Sequence, residues 1–189
     1  MLMTLFCRNV SVVSGTIAGM SENESAMSES TTEITSYDDP DAPWNQEYTE
    51  AEMANWNDGV IAEFRQNQGK VGGAYEGGEL VLLTTTGAKS GKQHMVPLGL
   101  LRRPTEAGEV LYVSSFIEGK YPAWFYNAKK NSQVTIEHGA ETFQGTCKVL
   151  EGEEYDEFAA WALGNNPMLA EYQAKVDRPL PLAVLTFGK

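Results

Sequence analysis

The 189-residue chain carries 26 acidic against 14 basic side chains, a net charge of -12, which argues against non-specific nucleic-acid binding. With 42% hydrophobic and 21% charged residues it is globular in composition, and its length suits one core better than two. Two cysteines far apart (Cys7, Cys147) and two histidines (His94, His138) give neither a disulfide framework nor metal-ligand spacing, so the sequence predicts a reducing cytoplasm and no metal site.

In chain order, residues 1–19 are mildly apolar, but Arg8 follows the first apolar residues instead of leading them, which does not suit a signal peptide. The run is also too short and broken to span a membrane. Residues 20–41 are rich in Ser, Thr, Glu and Asp. The expectation is a disordered acidic extension over 1–41, with Met20 or Met27 as alternative starts, and one folded domain over 42–189. Thr49 and Glu52 have capping-box spacing. Met53, Trp56, Val60, Ile61 and Phe64 follow at helical spacing, and Gly69 is a natural stop. Gly59 weakens the middle by about 1 kcal/mol relative to Ala.

Residues 71–79 contain four glycines and read as a short strand or a loop. Leu80–Thr86 is apolar and then β-branched, which predicts a strand. Gly87-Ala88-Lys89-Ser90-Gly91 is a turn, and Met95–Leu101 returns as a strand in which Pro97 marks an edge or a bulge. A turn at 104–108 leads to a strand over 109–116. Pro122 suits the first turn of a helix through Lys130, with Lys129 and Lys130 at its cation-favouring end. Strands are expected over 133–138 and 142–150, around Gly139-Ala140. Helices follow over 152–163 and from Pro167, capped by Asn166, to about Val176; a last strand covers 180–187. Many short strands with helices between and after them predict an antiparallel barrel with packed helices.

The turn at 87–91 has two readings. One is an ordinary hairpin with a basic tip. The other is an anion site, where small residues let backbone N–H groups reach a phosphate while Lys89, Lys92 and His94 add charge. The spacing is not that of a P-loop, and a strand follows instead of a helix. About half of the negative excess sits in residues 1–41, with seven acids against Arg8, whereas residues 80–148 hold eight bases and five acids. That locally positive segment fits an anionic ligand. Neither paired catalytic carboxylates nor a nucleophile motif is evident, which disfavours a hydrolase.

Taken together, Leu82-Leu83-Thr84-Thr85-Thr86-Gly87-Ala88-Lys89-Ser90-Gly91-Lys92, Pro97-Leu98, Pro122-Ala123-Trp124-Phe125-Tyr126-Asn127, Tyr172-Gln173 and Asp177-Arg178-Pro179-Leu180-Pro181 resemble the deazaflavin-dependent nitroreductase family. Those are split-barrel flavin/deazaflavin oxidoreductases that use coenzyme F420. Glu63-Phe64-Arg65 and Gly69 to Gly73 also fit, so the resemblance spans about residues 55–187.

It implies an α+β fold, a split β-barrel of the FMN-binding type with packed helices, and hydride transfer from reduced F420 to a small or amphipathic acceptor such as a quinone or nitro compound. FMN is the alternative cofactor, and a non-catalytic flavin- or lipid-binding module the alternative function. A lipophilic acceptor would bring peripheral membrane contact; the oligomeric state stays open.

By the same resemblance, Lys89, Ser90 and His94 hold the cofactor's phosphate and glutamate-bearing tail. Val96, Pro97 and Leu98 line the next part of the channel. Ser114, Ser115 and Phe116 lie near the deazaflavin ring, and Pro122, Ala123, Trp124, Phe125 and Asn127 form the opposite wall. Tyr172 is the candidate for proton donation or acceptor positioning, or else a packing residue. Many members have Arg where this chain has Ala88 and His94; Lys92, Arg102 and Arg103 are candidates to compensate. Asn166 and Leu169 fall near other members' pocket tyrosines, and Arg178 is expected to form a structural ion pair.

Overall fold

A computed structural model describes residues 50–117 and 120–188, except for the side chains of 50–55 and 74. The expected acidic extension and Thr49 of the capping box lie outside the described residues. The elements are α1 (Glu50–Gln66), a 3-10 turn (Gly73–Tyr75), β1 (Leu80–Thr86), β2 (Gln93–Thr105), β3 (Gly108–Ser114), α2 (Ala123–Lys130), β4 (Gln133–His138), β5 (Glu141–Val149), α3 (Gly152–Asn165), α4 (Pro167–Gln173) and β6 (Leu182–Phe187).

The six strands close in the order β1-β2-β3-β6-β5-β4, every pair antiparallel. β1 is apolar at consecutive positions because both of its faces are covered. Val81 and Leu83 point into the barrel with Leu98, Val113, Ile136, Cys147 and Leu185. Leu80 and Leu82 point outward, under Val60 and Phe64 of α1. A third apolar layer places α3 and α4 over Leu101, Tyr112 and Leu182.

β2 is longer than the sequence suggests. It runs through Pro104, which pairs with Glu109, so the connection to β3 shrinks to Glu106-Ala107. A proline near the end of a ladder removes few bonds, which is why Pro104 does not end the strand. β2 also changes partner midway. Gln93 to Gly99 pair with β1, and Leu100 to Thr105 pair with β3. Pro97 thus falls in the half that lies beyond the β3 ladder, a local edge as its chemistry requires. Residues 71–79 form a loop around the 3-10 turn, not a strand. Asn166 caps α4 as expected, its side chain accepting from Leu169 N at 3.2 Å.

Candidate functional site

The turn between β1 and β2 is closed from within. Gly87 N donates to Lys92 O at 2.7 Å, Gly91 N to Gly87 O at 2.9 Å, and Lys92 N to Ser90 Oγ at 3.2 Å. Gly91 has φ 68°, a conformation that favours glycine. A Cβ at Gly87 would overlap Ser90 Oγ and crowd the His94 ring, so the close approach of those side chains depends on that glycine. Ser90 Oγ and His94 Nε2 lie 3.4 Å apart. Lys89, Ser90, Lys92 and His94 are all exposed.

The neighbouring helix braces this turn from below. Asn127 of α2 is buried; its Oδ1 accepts from Ala88 N at 2.8 Å, and its Nδ2 donates to Thr85 Oγ1 at 3.1 Å. Lys130, one turn further along α2, donates to Ala88 O. Of the six backbone N–H groups from Gly87 to Lys92, those of 87, 88, 91 and 92 are thereby engaged inside the protein. An anion at this turn would meet the remaining two, at Lys89 and Ser90, together with the lysine side chains. The broad backbone cradle that the glycines suggest is thus reduced to the tip.

Several of the basic side chains near the barrel are paired with acids, whereas, among the described residues, those at the tip of this turn are not. Arg65 pairs with Glu137, Arg102 with Glu79 and Glu109, Arg103 with Glu157, Lys129 with Glu151 and Lys148 with Glu154. Lys89 and Lys92 have no acidic partner among the described residues.

Arg102 and Arg103 do not compensate for Ala88 and His94. Arg102 is nine residues along β2 from Gln93, roughly 30 Å in an extended strand. Its guanidinium is held by Glu79 at 2.6 and 2.8 Å and by Glu109 at 2.6 Å. Arg103 lies over the rings of Phe158 and Trp161, 5.0 and 5.3 Å from their centroids. Arg178 makes no ion pair among the described residues; what holds its backbone is Gln173 Nε2, which donates to Arg178 O at 2.9 Å.

The other predicted site residues fall into two groups. Leu98, Trp124 and Phe125 belong to the barrel interior, with Val96 packed against them. Trp124 Nε1 donates to Ser115 Oγ at 3.2 Å, tying α2 to the end of β3. Pro97 pairs with Leu82, on the α1 side of the sheet. Pro122 is the residue just before α2, one place earlier than expected, and Ala123 is exposed beside it. Ser114 is fully buried, and its Oγ has no hydrogen-bond partner among the described residues.

Phe116 and Tyr172 lie elsewhere, in the layer under α3 and α4, with ring centroids 4.4 Å apart. The Tyr172 hydroxyl accepts from Ile117 N at 2.7 Å and donates to Ile117 O. It therefore pins the chain where β3 leaves the sheet. Proton donation from that oxygen would have to displace a backbone partner.

Thr85 and Lys130 are site residues that sequence reasoning missed. Thr85 is one of three threonines in a β-branched run, and nothing in the pattern sets it apart. Lys130 reads from sequence only as a cation at a helix C-terminus.

A cavity of about 530 Å³ opens under the end of α1, lined by Glu63, Asn67, Lys70, Glu76 and glycines of the following loop. No predicted cofactor residue lines it. No group of three His, Cys, Asp or Glu among the described residues is placed to hold a metal ion. Among the same residues, no helix is long and apolar enough to cross a membrane.

The donor set at the turn suits an anionic tail. Comparison with known proteins bears on the family. A family model described as F420H(2)-dependent quinone reductase matches residues 56–187. F420H(2)-dependent quinone reductases from two strains of Mycobacterium tuberculosis are 26% identical over 147 residues, covering 76% of this chain and 95% of theirs. A solved F420-H2 dependent reductase is 38% identical, covering 57% of this chain and 93% of that one, with a TM-score of 0.42. A structure described as a domain-swapped dimer is 32% identical, covering 73% of this chain and 100% of that one, with a TM-score of 0.46. The chain belongs to the F420H(2)-dependent quinone reductase family, deazaflavin-dependent oxidoreductases whose cofactor is coenzyme F420.

Proposed function

We propose that the chain reduces a quinone, with the tip of the β1–β2 turn holding the anionic end of the cofactor. Reduced F420, when bound, supplies the hydride, and a proton completes the quinol. The chain's residues bind and orient. Lys89, Lys92 and the N–H groups of Lys89 and Ser90 face the phosphate and glutamate-bearing tail. His94, beside Ser90, adds positive charge only when protonated. Val96 and Leu98 on β2, with Ser115 and Trp124 behind them, form the wall that leads inward, and Ser114 offers a hydroxyl to the ring. Pro122, Ala123 and Phe125 form the opposite wall, and Phe116 with Tyr172 closes the far side. A lipophilic quinone would bring the protein to a membrane surface from the cytoplasm.

The observation that carries this reading is the pair of acid-free lysines on a braced turn in a protein of net charge -12. The test is anaerobic mixing of the full chain with reduced F420 and a soluble quinone, following the return of oxidised deazaflavin fluorescence. Quinone-dependent return is expected. Oxidation at the same rate without quinone would contradict the reading. Lys89→Ala should weaken cofactor binding about tenfold at low salt with the fold unchanged by circular dichroism. An unchanged affinity would remove the turn from the site.

A further inference from the structure

We infer that Asn127 is a positioning residue: from inside the fold it fixes the orientation of the Ala88 peptide, and so of the two N–H groups that the turn leaves for an anion. The inference rests on the reading of the turn as the cofactor's anion-holding end. Both polar backbone groups of Ala88 are taken by α2, the N–H by Asn127 Oδ1 and the carbonyl by Lys130 Nζ. Asn127 is itself set by Thr85, whose hydroxyl accepts from Nδ2. Thr85 is 1% exposed and Asn127 5% exposed. Asn127 Oδ1 and Nδ2 are each engaged within the fold and the residue is buried, so the effect on binding is assigned to the turn that it holds.

The physical reason is preorganisation. A five-residue turn with glycine at each end has many conformations, and a ligand that must select one of them loses affinity by the fraction so populated. The clamp on Ala88 leaves the tip, at Lys89 and Ser90, in one arrangement before any ligand arrives. The same helix ties Trp124 to Ser115, so one rigid element sets both the turn and the wall.

Asn127→Ala is the direct variant, and Thr85→Val is its nearly isosteric partner, removing the hydroxyl that orients the amide and that also donates to His94 O at 3.4 Å. Each is measured in the full chain for F420 affinity by fluorescence titration, for kcat at saturating cofactor and for Tm. Ile136→Val, in the barrel interior, serves as a comparably destabilised control. We expect about tenfold weaker F420 binding for Thr85→Val and for Asn127→Ala, with kcat retained. Thr85→Ser should keep wild-type affinity, and the double variant should bind no more weakly than Asn127→Ala alone. Ile136→Val should lose Tm but not affinity. Thr85→Val and Asn127→Ala binding as tightly as the control would overturn the inference while leaving the cofactor reading in place. Failure of the wild-type chain to bind F420 would overturn both.

Discussion

Tyr172, the candidate for proton donation, has its hydroxyl committed to two backbone hydrogen bonds. Its hydroxyl bonds both polar groups of Ile117 inside a buried apolar layer. Tyr172→Phe should therefore cost about 1–3 kcal/mol in stability, read as a lower urea midpoint, because two buried backbone groups lose their partner. An unchanged midpoint would release the hydroxyl for proton transfer. Glu79 is a second committed side chain. Hydrogen bonds from Arg102, and then from His138, hold its carboxyl below the usual range against the opposing effect of burial. A depressed carboxylate stabilises the fold above its unfolded pKa and loses that contribution as pH falls through its folded value. Melting temperature should thus fall on acidification below about pH 4.3, and Glu79→Gln should flatten part of that fall. A parallel acid profile in the variant would deny Glu79 its share. Cys147, in the barrel interior, has its thiol pushed up to about 12 by burial. In a Cys7→Ser background it should react with thiol reagents only as the barrel unfolds.

Between residues and fold stand the elements, and their legibility differs for physical reasons. β1, its turn and the start of β2 are readable because apolar runs and paired glycines are local signals, and the structure has them at 80–86, 87–92 and from 93. The far half of β2 was hidden by Pro104, whose local preference yields to the ladder with β3. α4 was readable from Asn166-Pro167, a cap followed by a fixed φ. The brace between α2 and the turn was not, because Asn127 and Thr85 meet across 42 residues of sequence through a barrel that must close first. The same long-range geometry sets Gly145 on β5. A Cβ there would press into the Thr186 carbonyl across the β5–β6 ladder. Gly145→Ala should cost about 1–3 kcal/mol as the two strands move apart, measured by chemical denaturation. A neutral result would mean the ladder is looser at this edge than its register implies.

For the molecule as a whole, the acidic composition and the basic site belong to different parts of the chain. Residues 1–41 carry a net charge of -6, half of the total, while the turn projects lysines without acid partners. A chain beginning at residue 42 should keep the Tm and the F420 affinity of the full protein, since among the described residues the three apolar layers draw on residue 56 onwards. A large drop in either would place the leading segment in the fold or the site. The cofactor remains the central claim, because the barrel type also accommodates FMN. The most direct test is a fluorescence titration of the full chain with F420, run beside FMN at the same ionic strength. Saturable binding of F420, with FMN bound weakly or not at all, is the predicted result. Saturable binding of FMN with no binding of F420 would contradict the account.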